Sequence, residues 1–175
     1  MSEVEVFHKQ LFFETKGNKT TYFEIRKECI DFIEELNVKD GILVIQSPHT
    51  TCSVLFEEMV HDRDALGDEY LQYDLNKGLN KIFPKQLEYD DYYKYPGIKH
   101  REWGKSRPNN DLSKNSAILL NADSHLKSSV VGSDITLIIK DGMLSCGTYG
   151  YIYFVDFDGN RPRKRKCNLC CIKFE

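Results

Sequence analysis

The spacing of apolar residues predicts a strand and then a helix at the start of the chain. Residues 4–14 are rich in Val and Phe, which favours a β-strand, and Gly17-Asn18 marks a turn. A helix over residues 21–36 is predicted by an apolar stripe, namely Tyr22, Ile25, Cys29, Phe32, Ile33 and Leu36. Thr21 and Glu24 form a capping-box pattern at its start.

The middle of the chain is predicted to hold two strands, a helix and a long loop. The strands cover residues 41–47 and 51–57, and both are apolar with turn residues around them. A second helix ends before Pro84 and carries the stripe Leu71, Leu75, Leu79 and Ile82. Residues 85–115 are rich in Tyr and charged residues without a clear period, so we expect a long loop with a functional or interfacial role.

The last third predicts one helix and three strands. Asn121 is expected to cap a helix over residues 122–131, and Gly132 is expected to end it. Gly147 and Gly150 are expected to be bulges or points of close approach. The strands are residues 135–139, 143–157 and 161–174, joined by tight turns at Lys140-Asp141-Gly142 and Asp158-Gly159. Such turns favour antiparallel pairing, so we predict an α+β fold rather than a doubly wound parallel sheet.

Size and charge narrow the class of protein. A chain of 175 residues is predicted to form one domain over residues 1–175, and its net charge of −3 predicts no general attraction to nucleic acid or anionic membranes. No apolar run approaches the roughly 20 residues of a membrane span, and the first residues lack a signal-peptide pattern. The six cysteines are therefore expected to be reduced thiols in a cytoplasmic protein.

Cysteine and histidine are the candidate metal ligands. Cys167, Cys170 and Cys171 form one ligand set without a partner set, so a strand end is favoured over a structural zinc site. Three of the five histidines differ, because they stand at element boundaries among small or polar residues: His49 in SPHTT, His100 in IKHRE and His125 in ADSHLK. Three imidazoles and a water form one kind of catalytic zinc site. Boundary histidines are more often structural, so both interpretations stay open.

A series of short motifs runs through the chain in a fixed order. They are His49-Thr50-Thr51 with Glu57-Glu58, Tyr95 with His100, Asn121-Ala122-Asp123-Ser124-His125-Leu126-Lys127 running to Gly132, Gly142-Met143-Leu144, Gly147-Thr148-Tyr149-Gly150, and Asp158-Gly159-Asn160-Arg161-Pro162-Arg163. In this order the chain resembles the YjbQ family, also called the uncharacterised protein family UPF0047, over nearly its whole length.

The resemblance implies a mainly antiparallel β-sandwich with a few helices that assembles as a homotrimer. It also implies a pocket that is lined by His49, His100 and His125 and suited to a metal such as Zn²⁺. Members are associated with a weak thiamine-phosphate synthase activity, which joins a pyrimidine diphosphate to a thiazole phosphate, although their physiological role is unsettled. We therefore expect an enzyme that acts on a small phosphorylated metabolite.

The chain departs from the family pattern in three places. Glu57 stands where the family usually has Asn, and Tyr149-Gly150 replaces Trp-Gln. Residues 60–80 and 101–117 are longer than in compact members. These changes bear on the identity of the substrate more than on the fold.

Two residues are predicted to be catalytic. His125 is one, and Glu58 is the other, as a base or as a partner that fixes a histidine tautomer. Glu58 follows His49 by nine residues, which on an unbroken strand would place the two on opposite faces. Substrate contacts are predicted for Asn121, Ser124, Lys127 and Arg161, the first two because free amides at a helix N-terminus can receive a phosphate.

Two other classes of function stay open. The protein is alternatively a non-catalytic trimer that binds a metal or a small anion, or less favoured, an RNA-contacting accessory protein that uses the basic run after Arg161. Ordinary charges on an edge strand are favoured over nucleic-acid contact for that run. The aromatic segment around Tyr95 and Trp103 suits ring stacking at a pocket rim or packing against another subunit.

Overall fold

The computed structural model describes residues 4–88, 91–106 and 116–174, and it contains eight strands and four α-helices in these ranges. In chain order the elements are β1 (Val4–Thr15), β2 (Thr21–Glu24), α1 (Arg26–Glu35), β3 (Asp40–Gln46), β4 (Cys52–Glu58), α2 (Tyr70–Ile82), α3 (Ile98–Ser106), a 3₁₀ helix (Ser116–Leu119), α4 (Ala122–Val131), β5 (Asp134–Lys140), β6 (Met143–Leu144), β7 (Gly150–Asp156) and β8 (Arg163–Phe174).

The strands form two antiparallel sheets. The larger sheet has the order β1-β8-β3-β5-β6, and the smaller one has the order β2-β7-β4. In the larger sheet Ile172 of β8 pairs with Val6 on one side and with Ile42 on the other. The pairing of every named strand is antiparallel, which confirms the predicted α+β class.

Strand β7 lies at the centre of the packing. One core cluster fills the space between the two sheets and α1, and it includes Phe154 of β7, Leu169 of β8 and Phe32 of α1. A second cluster covers the other face of the smaller sheet, where Leu79 of α2 packs near Tyr153. Each large apolar side chain buried in this way stabilises the fold by about 1.5–3 kcal/mol. The molecule therefore has three layers. The larger sheet is the first, the smaller sheet together with α1 is the second, and α2 is the third.

The predicted capping box at Thr21 is wrong. Residues Thr21–Glu24 form strand β2, which pairs with β7 so that Tyr22 lies opposite Val155. The helix begins at Arg26, whose backbone N–H donates to the carboxylate of Glu24. Thr, Tyr and Phe pack well on a pleated surface, and the pairing with β7 outweighed the local helical pattern.

The predicted strand over residues 143–157 is two strands in different sheets. β6 belongs to the larger sheet and β7 to the smaller one, and the chain turns between them with Gly147 at φ +64°. A Cβ on Gly150 would lie 2.3 Å from both the Cys146 carbonyl oxygen and the Phe56 ring, so only glycine fits there. The Lys140–Gly142 hairpin is confirmed, with positive φ at Asp141 and Gly142.

Two further expectations for the second half are corrected. Asp158-Gly159 is not a hairpin turn, because it connects β7 in one sheet to β8 in the other. Strand β8 is not at an edge over residues 168–174, where it pairs with both β1 and β3, whereas residues 163–167, with the basic run, pair with β1 alone. The long loop predicted over residues 85–115 contains α3, while its residues 89–90 and 107–115 lie outside the described part of the chain.

Helix α4 and the cysteines agree with the sequence analysis. α4 spans the predicted residues and ends at Gly132, which has φ +102°. All six cysteines are free thiols, and Cys167 and Cys171 are buried within β8. Within the described ranges, no helix is long and apolar enough to cross a membrane.

The chain crosses between the sheets twice at the same end of the molecule. Residues 47–51 lead from β3 to β4, and residues 157–162 lead from β7 to β8. Helix α4 begins between these crossings, since Ser124 Oγ donates to the Phe157 carbonyl at 3.1 Å and His125 Nδ1 lies 3.2 Å from the Thr50 carbonyl oxygen. Polar side chains from three distant parts of the sequence therefore meet there.

The turn at Gly17 supports the second crossing and gives a test of the fold. Gly17 has φ +71°, and a Cβ there would lie 1.9 Å from the Arg161 carbonyl carbon. We predict that Gly17→Ala lowers the free energy of unfolding by more than about 2 kcal/mol through strain and overlap, as measured by urea denaturation. The matched change Gly78→Ala, in open space on α2, should raise it by about 0.5–1 kcal/mol. Equal effects of the two changes would contradict this account.

Candidate functional site

A polar cleft of about 250 Å³ opens where the two crossings meet α4. Its lining residues are Pro48, His49, Thr50, Thr51, Asn121, His125, Arg163 and Arg165. The volume is slightly below the usual range for small-molecule pockets, so it suits one charged group or one ring better than a whole large ligand.

A buried ion pair forms the floor of the cleft. Arg165 of β8 donates to Asp156 of β7 through Nε at 2.8 Å and Nη2 at 3.0 Å, and Nη2 also donates to Thr51 Oγ1 at 2.9 Å. Arg165 and Asp156 are 7% and 1% exposed. Two parallel bonds hold the guanidinium plane in one orientation. This pair therefore fixes β7, β8 and the first crossing relative to one another.

A second buried carboxylate, Asp158, organises the side of the cleft. Its Oδ2 accepts from Arg163 Nη2 at 2.7 Å and from Asn121 Nδ2 at 3.2 Å, and its Oδ1 accepts from the Asn160 backbone N–H. Because Asn121 donates through its nitrogen, its Oδ1 points elsewhere, and this buried oxygen lacks a partner among the described residues. An unpaired buried acceptor costs about 1–3 kcal/mol, which a ligand donor would offset.

His125 has one ring nitrogen, Nε2, that can accept a proton from a ligand. Nδ1 lies 3.2 Å from the Thr50 carbonyl oxygen, which can only accept, so Nδ1 carries the proton and Nε2 is the basic nitrogen. Burial lowers the pKa of His125, and the nearby His100 and Arg163 lower it further against the opposing effects of Thr50 and Asp158. The imidazole is therefore neutral near pH 7 and able to accept a proton.

His49 lies in the same cleft, but its Nε2 is hydrogen-bonded to the backbone, unlike the Nε2 of His125. Its Nε2 accepts the backbone N–H of Lys166 at 3.0 Å, so the ring nitrogen that faces β8 is already used. Burial lowers the pKa of His49, and the positive charge of Arg165 acts in the same direction. His49 is thus a neutral ring that joins the first crossing to β8.

His100 lies behind a tyrosine. Its Nε2 is 3.1 Å from Tyr95 Oη, and the Tyr95 ring packs between the rings of His100 and His125, with centroid distances of 5.0 and 5.6 Å. Trp103 extends this aromatic wall, 5.3 Å from His100. Across residues 4–88, 91–106 and 116–174, no three His, Cys, Asp or Glu side chains are grouped so as to hold a metal ion. The donor set as placed does not fit a three-histidine centre, and zinc stays a prediction.

The other predicted site residues lie apart from the cleft. Glu58 is exposed at the far end of β4, opposite Gly150 and about 20 Å along the strand from the first crossing. Lys127 projects from the other side of α4 and donates to Asn80 at 2.7 Å and Asp123 at 2.9 Å. Ser124 is bound to the Phe157 carbonyl, and Arg161 lies in the second crossing, where its backbone packs against Gly17.

The N-terminus of α4 is already partly capped. The Ala122 N–H, which the sequence suggested for a phosphate, donates to Gln86 Oε1 at 2.8 Å. Gln86 is buried, and its side-chain nitrogen donates to the Tyr95 carbonyl while its backbone N–H donates to Asp123. Gln86 therefore ties α4 to the aromatic wall, and Asn121 contributes a side-chain amide to the cleft rather than a cap.

Two buried carboxylates and their arginine partners in the cleft were not predicted from the sequence. They are Asp156 with Arg165 and Asp158 with Arg163. One signal was available, because Asp156 and Asp158 are two residues apart, as are Arg163 and Arg165. The two arginines share one side of β8, while Asp156 ends β7 and Asp158 lies in the second crossing. Cys52 also lies against Asp156, with 3.4 Å between Sγ and Oδ1. Burial and this carboxylate raise the pKa of the thiol, which rules out an activated nucleophile.

The fold and the cleft together define a class of protein: an α+β chain of two antiparallel sheets with a polar cleft where the chain passes from one sheet to the other. Within that class, the chain belongs to the UPF0047 protein YjbQ-like family, whose family model matches residues 9–173.

Relatives and solved structures agree with this membership. The chain is 33% identical over 160 residues to UPF0047 protein MJ1081 of Methanocaldococcus jannaschii, covering 90% of this chain and 91% of that one. UPF0047 protein YugU of Bacillus subtilis is 28% identical over 146 residues, with 83% and 85% covered. A YbjQ-like protein of unknown function from Sulfolobus solfataricus superposes with a TM-score of 0.71 at 19% identity, over 98% and 99% of the two chains, and shows the same fold.

The contribution of the buried ion pair to stability can be measured by mutation. Asp156→Asn leaves Arg165 buried with only the more distant Asp158, 3.9 Å away, as a counter-charge, so we expect a loss of about 3 kcal/mol in the free energy of unfolding. Asp31→Asn breaks the exposed pair with Lys27 and should change it by less than about 0.5 kcal/mol. Chemical denaturation of both variants measures the difference, and a tolerated Asp156→Asn would show that the pair does not hold the sheets together.

Proposed function

We propose that the protein is an enzyme that acts on a small phosphorylated metabolite in the cleft between His49, His125 and Arg163. The observation that carries this proposal is the state of His125, whose proton is held on Nδ1 by Thr50 while neutral Nε2 is left to act as an acceptor. A neutral imidazole within reach of a guanidinium suits general base catalysis on an anionic substrate.

Arg163 is the group that would bind phosphate. Asp158 holds its Nη2, and the side chain, 22% exposed, lines the cleft. The remaining N–H donors of a guanidinium placed in this way can bind phosphate oxygens. Arg165 has the same chemistry but is occupied by Asp156 and Thr51, so it positions the cleft rather than binding the ligand.

A reaction of the thiamine-phosphate synthase type is consistent with the side chains of His125, Arg163 and the aromatic wall. A ring nitrogen of the thiazole phosphate would displace diphosphate from the pyrimidine diphosphate, so the bond to the leaving oxygen breaks as the new carbon–nitrogen bond forms. Arg163 would stabilise the charge of the leaving diphosphate. The thiazole nitrogen carries no proton, so His125 Nε2 would instead take a proton from an amino group on the pyrimidine ring, which helps to expel diphosphate, and would return it once the carbon–nitrogen bond has formed. The aromatic wall of Tyr95, His100 and Trp103 offers a surface on which a flat ring can stack.

The alternatives use the same residues differently. A non-catalytic protein would bind an anion in the cleft without turnover, and a zinc protein would use the histidines as ligands. RNA contact is disfavoured, because Arg165 is buried against Asp156 and the chain carries a net charge of −3.

The assembly in this proposal is a homotrimer. The outer face of the larger sheet carries an apolar row across four strands, formed by Val6, Ile172, Ile42 and Ile138 in register. Val6 and Ile138 are 52% and 62% exposed in the single chain. Contiguous exposed apolar residues mark contact surfaces, so this row is the surface that we assign to the neighbouring subunit.

We predict that the purified protein joins a pyrimidine diphosphate to a thiazole phosphate, and that His125→Gln lowers kcat by about 100- to 10,000-fold because the base is lost. Glutamine retains a donor for Thr50, and His61→Gln, an exposed histidine outside the cleft, is the matched control. Release of diphosphate measures turnover. Binding of the substrates without turnover in wild type would favour the non-catalytic alternative.

The same assay has a pH dependence with a defined sign. A base must be unprotonated, so kcat/KM should fall as the pH drops through the pKa of His125, which burial places below its ordinary value near 6.5. Above that pH the rate should be level. Metal analysis of wild type and of His100→Gln tests zinc: equal, substoichiometric metal in both would exclude a histidine-bound ion.

The trimer is tested on the outer sheet face. Ile138→Lys places a charge in the apolar row and should convert a trimer to monomers, whereas Ile98→Lys, an exposed change on α3, should not. Light scattering after size-exclusion chromatography measures the mass of each. A monomeric wild type would contradict the trimer, and a trimeric Ile138→Lys variant would place the contact on another surface.

A further inference from the structure

A second cavity lies on the opposite side of α4 from the cleft. It has a volume of about 520 Å³ and is bounded by α2, by α4, by the turn after β1 and by the second crossing. Five lysines line it, namely Lys19, Lys77, Lys81, Lys85 and Lys127. The size is within the range of small-molecule sites, and the proposed reaction makes no use of it.

The charges around this cavity do not balance. Three aspartates line it with the five lysines, which leaves an excess of two positive charges. Asp68 is paired with Lys19 at 2.6 Å, and Asp123 with Lys127 at 2.9 Å. The third, Asp64, accepts the backbone N–H groups of Leu66 and Asp68 and so is committed to its own loop. The excess therefore belongs to Lys77, Lys81 and Lys85.

Lys127 provides a built cationic group in the wall. It is only 5% exposed, and its Nζ donates to Asn80 Oδ1 and Asp123 Oδ2. An ammonium has three N–H donors, so these two bonds leave one for a group inside the cavity. Asp123 compensates the charge of this buried lysine, and its third N–H donor is the group available to a ligand in the cavity.

Two lysines of the cavity wall lie close enough on α2 to repel each other when no anion lies between them. Lys77 and Lys81 are four residues apart on α2 and face the same cavity. Like charges at this spacing repel and destabilise a helix. Asn76 and Asn80 stand beside them with amide groups that can donate to oxygen atoms. An anion between α2 and α4 would relieve the repulsion and use these donors.

We propose that this second cavity binds a small organic phosphate that bears two or more negative charges, independently of the histidine cleft. The buried ammonium of Lys127 contacts the phosphate at the wall, and Lys77 and Lys81 bind it from α2. A multiply charged ligand is required because the excess of positive charge exceeds one. Helix α4 separates the two sites, since His125 lies on one side of it and Lys127 on the other.

The test is isothermal titration calorimetry of the full chain with inorganic diphosphate. Asn80→Asp has the same shape, retains an acceptor for Lys127 and adds a negative charge to the cavity. We expect it to weaken diphosphate binding at this site by about tenfold or more, a change of about 1.4 kcal/mol. Asn37→Asp, an exposed position after α1, adds the same charge elsewhere and should leave binding unchanged.

A second pair of variants separates the two sites. Lys77→Gln/Lys81→Gln should weaken the same binding event, and the exposed pair Lys39→Gln/Lys140→Gln removes equal charge outside both sites and should not. Arg163→Gln alters the histidine cleft and should leave this event intact. If wild type does not bind diphosphate, or if only Arg163→Gln abolishes binding, the second site does not exist. Loss of this event without loss of turnover would leave the proposed catalytic function standing.

Discussion

The buried ion pair between Arg165 and Asp156 is the constraint on which the rest of the molecule depends. It joins β8 of the larger sheet to β7 of the smaller one, and Thr51 adds the start of β4. Two charges that are buried away from water destabilise the fold unless they pair with each other in good geometry. A shift of either strand by one residue would separate Arg165 from Asp156, so the pair fixes the register of both strands. Arg163 at the start of β8 and Asp158 in the second crossing form a second pair beside it, at the cleft where a ligand can reach Arg163.

Helix α4 distributes its side chains to two polar spaces. Asn121 and His125, four residues apart, line the cleft, whereas Asp123 and Lys127, also four residues apart, line the second cavity. Residues at this spacing share a helix face, so a two-residue offset is enough to send each pair to a different side. One short helix thereby lines the polar cleft on one side and the second cavity on the other, with no residue common to both.

A buried contact at the start of α2 holds the outer wall of the second cavity. Glu69, at the start of α2, is buried and accepts from the Tyr153 hydroxyl at 3.1 Å and from the Val60 backbone N–H at 2.8 Å. Burial raises the pKa of Tyr153, and Glu69 raises it further, so the phenol stays protonated as a donor. Burial, with the charge of Glu69, also raises the pKa of Glu57. This buried contact holds α2 over the smaller sheet and thereby brings its lysines opposite Lys127.

The sequence by itself determined the features that depend on neighbours along the chain. The apolar period located α2, Asn121 and Gly132 located α4, and glycine and aspartate located the hairpin after β5. The motifs identified the family and drew attention to His49 and His125. The tertiary structure decided what depends on distant partners: β2 became a strand because β7 pairs with it, and His49 lost one nitrogen to the backbone of Lys166. Arg165 and Thr51 meet across 114 residues, and no local pattern encodes such a contact. Burial of charge selects these partners only after the sheets have formed, because the low-dielectric surroundings that make the pairing necessary do not exist in the unfolded chain.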